Sequence, residues 1–137
     1  MRLWHRDLLP YLPNSQLLAQ KRECDLIWKD IASGKQTNHI LINYIWRYDA
    51  NELFDYYSLL ADEFEKRGFK FNYSEYINAD FLRISDRPYE NHHTMQYLIQ
   101  CFYNLQEKYV RGQKDFDYDT YKKLELFVRK EVNQYAL

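Results

Sequence analysis

The sequence predicts an all-α protein, a compact helical bundle formed as a single domain over residues 1–137. Apolar residues recur at the 3.6-residue helical period in several stretches. Gly34, Gly68 and Gly112 each follow such a stretch, which is typical of a helix end. The three prolines lie outside these stretches, and no pair of alternating strands is evident. We also expect the N-terminal segment, residues 1–12, to pack between the helices.

The first predicted helix begins at about Asn14 or Ser15, either of which can cap it, and ends at about Ala32. One face of this helix is apolar and consists of Leu17, Cys24, Ile27, Trp28 and Ile31. The stretch HILINYIW, residues 39–46, is apolar and partly β-branched, so both a strand and a buried helix fit it. We favour a helix, because no partner strand is present elsewhere.

A third element begins at Asp49, where Glu52 completes a capping-box pattern, and ends before Gly68. Residues 69–90 have no regular period and contain a Ser-Asp-Arg-Pro turn. Two further helices are predicted over about 91–111 and 119–135, each with one apolar face.

Composition excludes several classes of protein. No stretch approaches the ~20 apolar residues that span a bilayer. Pro10 and Pro13 interrupt the N-terminal stretch, so we do not expect a signal peptide. Cys24 and Cys101 both fall in helical apolar patterns, which predicts buried free thiols and a cytoplasmic location.

The net charge of −1 is not typical of a nucleic-acid-binding protein, but its distribution is uneven. Residues 1–47 contain seven Lys and Arg against four acids, which gives +3. Residues 48–137 contain the remaining twelve basic and sixteen acidic residues, which gives −4. This asymmetry indicates that the N-terminal half faces an anion.

Neither a metal site nor a common catalytic motif is predicted. The four histidines and two cysteines show no metal-binding spacing, and the chain has no glycine-rich phosphate loop and no G-x-S-x-G. The notable polar group is Glu23, which lies at the border of the apolar face of the first helix. A partly desolvated carboxylate can have a raised pKa or stabilise a cation, and Lys21 and Arg22 beside it suit a phosphate. The alternative is a salt bridge at the rim of the core.

The first 24 residues, MRLWHRDLLPYLPNSQLLAQKREC, resemble the start of the pyrimidine-dimer DNA glycosylase family, whose prototype is phage endonuclease V. The resemblance continues through KDIASGK (29–35), NHILINY (38–44) and EFEKRGFKFN (63–72), and more loosely through residues 90–108. Its most specific parts are the M-R-L-W opening and the pattern Q-x-x-A-Q-x-R-E. The last predicted helix matches little.

This resemblance implies an all-helical repair enzyme that removes a damaged pyrimidine from double-stranded DNA and then nicks the strand. The nucleophile would be the N-terminal α-amine, which forms a Schiff base at the deoxyribose C1′. Because Arg2 is too large for the usual removal of methionine, this would be the amine of Met1. Glu23 matches the glutamate that stabilises the cationic sugar and assists β-elimination, and Arg22 matches an arginine that holds phosphates. No cofactor is then required.

An α-amine titrates near pH ~8, so a useful fraction of such amines is nucleophilic at neutral pH. Leu3, Trp4, Leu8 and Leu9 can anchor this amine, while Arg2 and Arg6 face the anion. The predicted DNA contacts are Arg2, Arg6, Lys21 and Arg22, with Lys35 and His39 as additions. The alternative is that these first residues only cover the core.

Two rival functions are consistent with the sequence. One is a non-catalytic helical module that binds nucleic acid or protein and keeps the fold without the chemistry. The other is a Schiff-base enzyme that acts on a carbonyl or nucleotide substrate other than DNA. An extension at the N-terminus should abolish enzyme activity but leave a binding module unaffected.

Overall fold

The computed structural model describes residues 1–135, and their regular structure is entirely helical. Four α-helices follow one another as α1 (Asn14–Ala32), α2 (Ala50–Lys66), α3 (Met95–Val110) and α4 (Tyr118–Tyr135). Short 3-10 helices occupy Arg6–Tyr11 and Asn43–Arg47. The all-α prediction is therefore confirmed. No helix within the described residues is long and apolar enough to cross a membrane.

The N-terminal segment packs between the helices, as predicted. Leu3, Trp4, Leu8, Leu9 and Leu12 are all buried in the common core. The Tyr97 hydroxyl of α3 donates to the Leu3 carbonyl at 2.5 Å, and the Tyr56 hydroxyl of α2 donates to the Trp4 carbonyl at 2.6 Å. Buried tyrosines thereby satisfy the backbone of a segment that has no sheet or helix partner of its own.

The start of α1 is capped from a distant loop. The prediction that Asn14 or Ser15 caps this helix is wrong, because Asn14 is already helical and Pro13 precedes it. The Asp115 carboxylate, from the loop between α3 and α4, accepts from the Ser15 backbone N–H and from its hydroxyl, both at 2.8 Å. Asp115 thus performs the role of an N-cap a hundred residues away along the chain.

We expect Asp115→Ala to lower the free energy of unfolding by about 1–2 kcal/mol, because the cap of α1 is lost and alanine tolerates the positive φ of this position poorly. Urea denaturation followed by circular dichroism measures this change. Asp115→Asn is the control, since asparagine keeps an acceptor oxygen and tolerates φ = 64°. Equal stability of Asp115→Ala and the wild type would contradict this account of the cap.

The stretch 39–46 contains no strand, and the helix favoured there is present only as a 3-10 helix over its second half. A turn is closed by the Ile42 N–H bonded to the His39 carbonyl at 2.9 Å, and a short 3-10 helix follows. The Asn43 side chain accepts from the His39 N–H at 2.9 Å and donates to Asn38 at 2.8 Å. Such side-chain bonds offer the backbone an alternative to a helix. Ile42 is fully buried and anchors the turn.

The later helices begin where side chains cap them. Asp49 caps α2 by accepting from the Asn51 N–H, but the predicted capping box is wrong, because Glu52 accepts from the Tyr89 N–H at 3.2 Å instead. Thr94 caps α3, so this helix starts later than predicted. Residues 69–90 contain no helix, as predicted.

Candidate active site

Gln20 of α1 joins the N-terminal segment to the first helix. Its amide nitrogen donates to the Arg2 carbonyl at 2.8 Å and to Glu23 Oε2 at 3.0 Å. Its amide oxygen accepts from the Trp4 N–H at 2.7 Å and lies 2.9 Å from the Tyr56 hydroxyl, which shares its single proton between this oxygen and the Trp4 carbonyl. All four hydrogen-bonding positions of this buried amide are thus filled, which fixes the backbone of residues 2–4 against α1.

Glu23 lies next to the start of the chain. Its Oε2 accepts from the Arg2 backbone N–H at 3.4 Å as well as from Gln20. Burial raises the pKa of the Glu23 carboxyl above its usual value, against the opposing effect of the Arg2 N–H, the charged α-amine and Gln20. No Lys or Arg side chain forms an ion pair with Glu23 within residues 1–135, so the alternative of a rim salt bridge is not observed.

The α-amine of Met1 lies within electrostatic reach of Glu23. Met1 itself is 39% exposed, although Leu3 two residues later is fully buried. The positive charge of the amine is one of the influences that lower the pKa of the Glu23 carboxyl. Gln20 holds the Arg2 carbonyl and the Glu23 carboxylate, so the residue after Met1 is fixed next to a half-buried carboxylate. This arrangement can attack an electrophilic carbon and stabilise the cation that results.

Arg6 does not face an anion, which corrects the prediction. The residue is only 4% exposed, and its guanidinium donates to the carbonyls of Pro88 at 3.3 Å and His93 at 3.2 Å. Its backbone N–H donates to His93 Nδ1 at 3.1 Å. Arg6 therefore ties the N-terminal segment to the loop before α3, and a phosphate cannot reach it in this structure.

The other residues predicted to contact DNA differ in their solvent exposure and in their ion pairing. Arg22, Lys35 and His39 are exposed to solvent. The Lys21 ammonium pairs with Asp25 at 2.7 Å and lies 5.2 Å from the centre of the Phe71 ring. Lys21 is therefore already paired on α1, whereas the side chains of Arg22, Lys35 and His39 face water.

Arg2 borders an open cleft of about 400 Å³. Its guanidinium lies 5.8 Å from the Trp4 ring and 5.9 Å from the Tyr97 ring, so aromatic faces support it. The remaining lining comes from the 39–47 turn and from α3 with the loop before it, namely Ile40, Leu41, Asn43, Tyr44, Arg47, His92, Tyr97 and Gln100. We call this space the Arg2 cleft.

Sequence reasoning missed Gln20 and most of the Arg2 cleft. Gln20 is part of the pattern Q-x-x-A-Q-x-R-E, but no role was assigned to it. Most of the cleft residues come from the turn after α1 and the loop before α3, and Tyr97 and Gln100 come from α3 itself. The available signals were the paired histidines and the apolar run HILINYIW, which Asn38 and Arg47 flank.

Metal and thiol chemistry find no support in the described part of the chain. No group of three or more His, Cys, Asp or Glu side chains there could hold a metal ion. Cys24 and Cys101 are free and buried, as predicted, and burial raises the pKa of both thiols. A buried thiol with a raised pKa is a poor nucleophile.

Comparison with known proteins identifies the family of the chain. Searches of curated proteins and of solved structures found no significant match. The family model described as pyrimidine dimer DNA glycosylase matches residues 1–76, more than half of the chain. The matched residues include Met1, Arg2, Gln20, Glu23 and the 39–47 turn, whereas α3 and α4 lie outside them. The chain belongs to the pyrimidine dimer DNA glycosylase family.

Proposed function

We propose that this protein is a bifunctional DNA glycosylase and abasic-site lyase that acts on pyrimidine dimers or related base lesions in duplex DNA. The observation that carries the proposal is the hydrogen-bonded unit of Arg2, Gln20 and Glu23, which places the start of the chain beside a half-buried carboxylate. Membership of the family supports DNA-repair glycosylase activity. The Schiff-base step and the lyase step are part of the proposal.

In the first step the neutral α-amine of Met1 attacks C1′ of the damaged nucleotide. The C1′–N bond to the base breaks as the new C1′–N bond forms, and the base leaves with the electron pair and takes up a proton. The added nitrogen gives up one proton to O4′ as the C1′–O4′ bond breaks, which opens the sugar ring and leaves a protonated Schiff base at C1′. Removal of a proton from C2′ then breaks the C3′–O bond, and the 3′ phosphate leaves.

Glu23 has two roles in this scheme. Its negative charge stabilises the cation that develops at C1′, and in a half-buried site this interaction is stronger than in water. Its raised pKa also makes it a better base for the C2′ proton than an ordinary carboxylate. The amine and the carboxylate supply both functions, so the proposal needs no cofactor.

Exposed basic residues are the proposed contacts with the DNA backbone. Arg22, Lys35 and His39 face solvent, and Arg2 borders the cleft next to the amine. Lys21 adds to the local field, although it is paired with Asp25. The excess of three positive charges over residues 1–47 supports an anionic partner on this side of the chain.

Borohydride trapping on duplex DNA with an abasic site tests the proposal. We expect reduction to fix a covalent complex, and peptide mapping should place the adduct on Met1. Lys108 provides the matched control, because its charge also acts on the Glu23 carboxyl and its amine is the competing nucleophile. Lys108→Met should therefore still be trapped. A Gly-Ser extension before Met1 should abolish trapping.

The net charge of −1 favours one rival, a non-catalytic binding module. If the protein is such a module, no covalent adduct should form, and the N-terminal extension should leave the affinity for DNA unchanged. An adduct on Lys108 instead of Met1 would overturn the proposed mechanism. So would the absence of any adduct in wild-type protein whose intact mass shows that Met1 is unmodified.

A further inference from the structure

We propose that Tyr97 of α3 is a positioning residue for the Met1 amine, so that α3 and α1 hold the start of the chain between them. This inference rests on the proposed function and deepens it, because it names a second group that determines where the amine points. Gln20 fixes residues 2 and 4 from the α1 side. Tyr97 contacts residues 2 and 3 from the α3 side.

The backbone of Leu3 depends on Tyr97. The Tyr97 hydroxyl donates to the Leu3 carbonyl at 2.5 Å, and the Leu3 backbone makes no other hydrogen bond within the described part of the chain. Leu3 is fully buried, so water does not satisfy this carbonyl. Arg2 and Trp4, by contrast, both bond to Gln20. Loss of the Tyr97 hydroxyl would therefore release the residue that lies between them.

The side chain of Arg2 lies against the same face of α3. Its guanidinium carbon is 5.9 Å from the centre of the Tyr97 ring, and its Nη1 lies 3.9 Å from the Cys101 Sγ. Tyr97 and Cys101 are four residues apart, so they lie on one face of the helix. A positive charge over an aromatic ring is attracted to it. This face of α3 thus contacts both of the residues that follow Met1.

Tyr97 is itself held in place by His93. Their rings stack with centroids 4.9 Å apart and planes 30° apart. The His93 ring is fixed, because its Nδ1 accepts from the Arg6 N–H at 3.1 Å and its Nε2 lies 2.8 Å from the Tyr44 hydroxyl. Burial raises the pKa of the Tyr97 hydroxyl, so it keeps the proton that it donates to Leu3. A rigid, protonated hydroxyl can therefore define the position of the Leu3 carbonyl.

The attack on C1′ depends on where the amine is held. Reacting atoms have to be about 3–3.5 Å apart and aligned, and an amine on a loose chain end samples many other positions. Met1 is 39% exposed, so the residues that follow it fix its amine. With Gln20 on one side and Tyr97 on the other, residues 2–4 cannot shift, and the amine stays beside Glu23.

Tyr97→Phe removes one oxygen and tests this role. The ring that stacks on His93 and contacts Arg2 remains, whereas the bond to the Leu3 carbonyl is lost. We expect nicking of abasic-site duplex at saturating DNA to fall about tenfold or more, because the amine is no longer held in position. KM should change less than about threefold, since the basic side chains that contact DNA are unchanged.

Tyr56→Phe is the matched control. The Tyr56 hydroxyl lies 2.6 Å from the Trp4 carbonyl, so this variant also loses a buried contact between a hydroxyl and a backbone carbonyl. Trp4 is still held by Gln20 through its N–H. We expect the two variants to lose similar amounts of stability, but Tyr56→Phe should nick within about threefold of the wild type. Urea denaturation defines the conditions in which both variants are folded.

Reaction with formaldehyde separates the position of the amine from its chemical reactivity. Reductive methylation with formaldehyde and cyanoborohydride requires only a free and accessible amine, because a small aldehyde approaches it from any direction. Tyr97→Phe should therefore be methylated at Met1 at least as fast as the wild type, although it nicks DNA slowly. Peptide mapping measures the methylated fraction.

The results distinguish this inference from the proposed function. If folded Tyr97→Phe nicks within about threefold of the wild type, or if Tyr56→Phe loses as much activity, the positioning role is overturned while the enzyme activity stays in place. Slow methylation of Met1 in Tyr97→Phe would also overturn it, because the hydroxyl would then act on the reactivity of the amine. If the wild type neither traps nor nicks an abasic site, the proposed function itself fails.

Discussion

Replacing Glu23 by glutamine should lower nicking at an abasic site by about 10²–10³-fold, the loss typical when one preorganised electrostatic contact to a transition state is removed. Glutamine is uncharged, so it neither stabilises the cationic sugar nor accepts the C2′ proton. Single-turnover nicking of abasic-site duplex measures the effect. Glu75→Gln, an exposed carboxylate of the irregular 69–90 region, is the control and should nick as the wild type does.

The same substitution should not weaken the fold. Glu23 Oε2 accepts from both the Arg2 N–H and the Gln20 amide, and the single carbonyl oxygen of glutamine can accept both bonds. Because burial raises the pKa of the Glu23 carboxyl, ionisation of this group costs more in the folded than in the unfolded chain. A neutral amide therefore avoids the cost of the buried charge. A loss of activity in Glu23→Gln would then not result from unfolding of the variant.

The pH dependence of stability gives a second measurement. Burial makes the pKa of Glu23 higher in the folded than in the unfolded chain. Glu23 therefore contributes fully to folding stability when the pH is below its pKa in the unfolded chain, and this contribution is lost as the pH rises through its pKa in the folded chain. The Tm of Glu23→Gln should thus exceed that of the wild type at neutral pH, and the difference should shrink in acid. A variant that melts below the wild type at neutral pH, or that nicks within about threefold of it, contradicts this view of Glu23.

The helices were predictable because their signal is local. The apolar period and the terminal glycines define α1 and α2 to within a residue or two. The caps were less predictable, since the residues that provide them depend on tertiary contacts. Asp115 caps α1 from a hundred residues away, and Glu52 turns from its own helix to the Tyr89 N–H. Local pattern cannot indicate which distant backbone group lacks a partner.

The candidate site was likewise predictable where the signal is local and not where it depends on tertiary contacts. The position of Glu23 at the border of an apolar face follows from 3.6 residues per turn, and its half-buried state agrees with it. Arg6 shows where that reasoning ends, because an arginine near the N-terminus was expected to face an anion. The carbonyls of Pro88 and His93 draw its guanidinium into the core instead. Pro88 lies in the irregular 69–90 region and His93 lies where a helix was predicted to have begun, so the sequence carries no signal that their carbonyls are free to accept from Arg6.

Gln20→Leu should lower the free energy of unfolding by about 2–4 kcal/mol, because it leaves the Arg2 carbonyl, the Trp4 N–H and the Tyr56 hydroxyl with fewer partners in a buried site. Leucine has nearly the same size, so packing changes little. Urea denaturation measures the loss. Gln16→Leu is the matched control one turn earlier on α1, where the amide bonds only to Gln113 and lies half-buried.

Gln20 also acts as a positioning residue, since it holds both the Arg2 carbonyl and the Glu23 carboxylate. At a temperature where Gln20→Leu is fully folded, trapping on abasic-site DNA should still be slow at saturating DNA, so kcat falls more than KM rises. Hydrogen exchange at the Trp4 amide should accelerate in the same variant, because that N–H loses its acceptor. If Gln20 had a purely structural role, Gln20→Leu would show normal trapping under conditions in which it is folded. Slow trapping together with fast exchange at Trp4 would instead show that the amine reacts only while the first residues are held against α1.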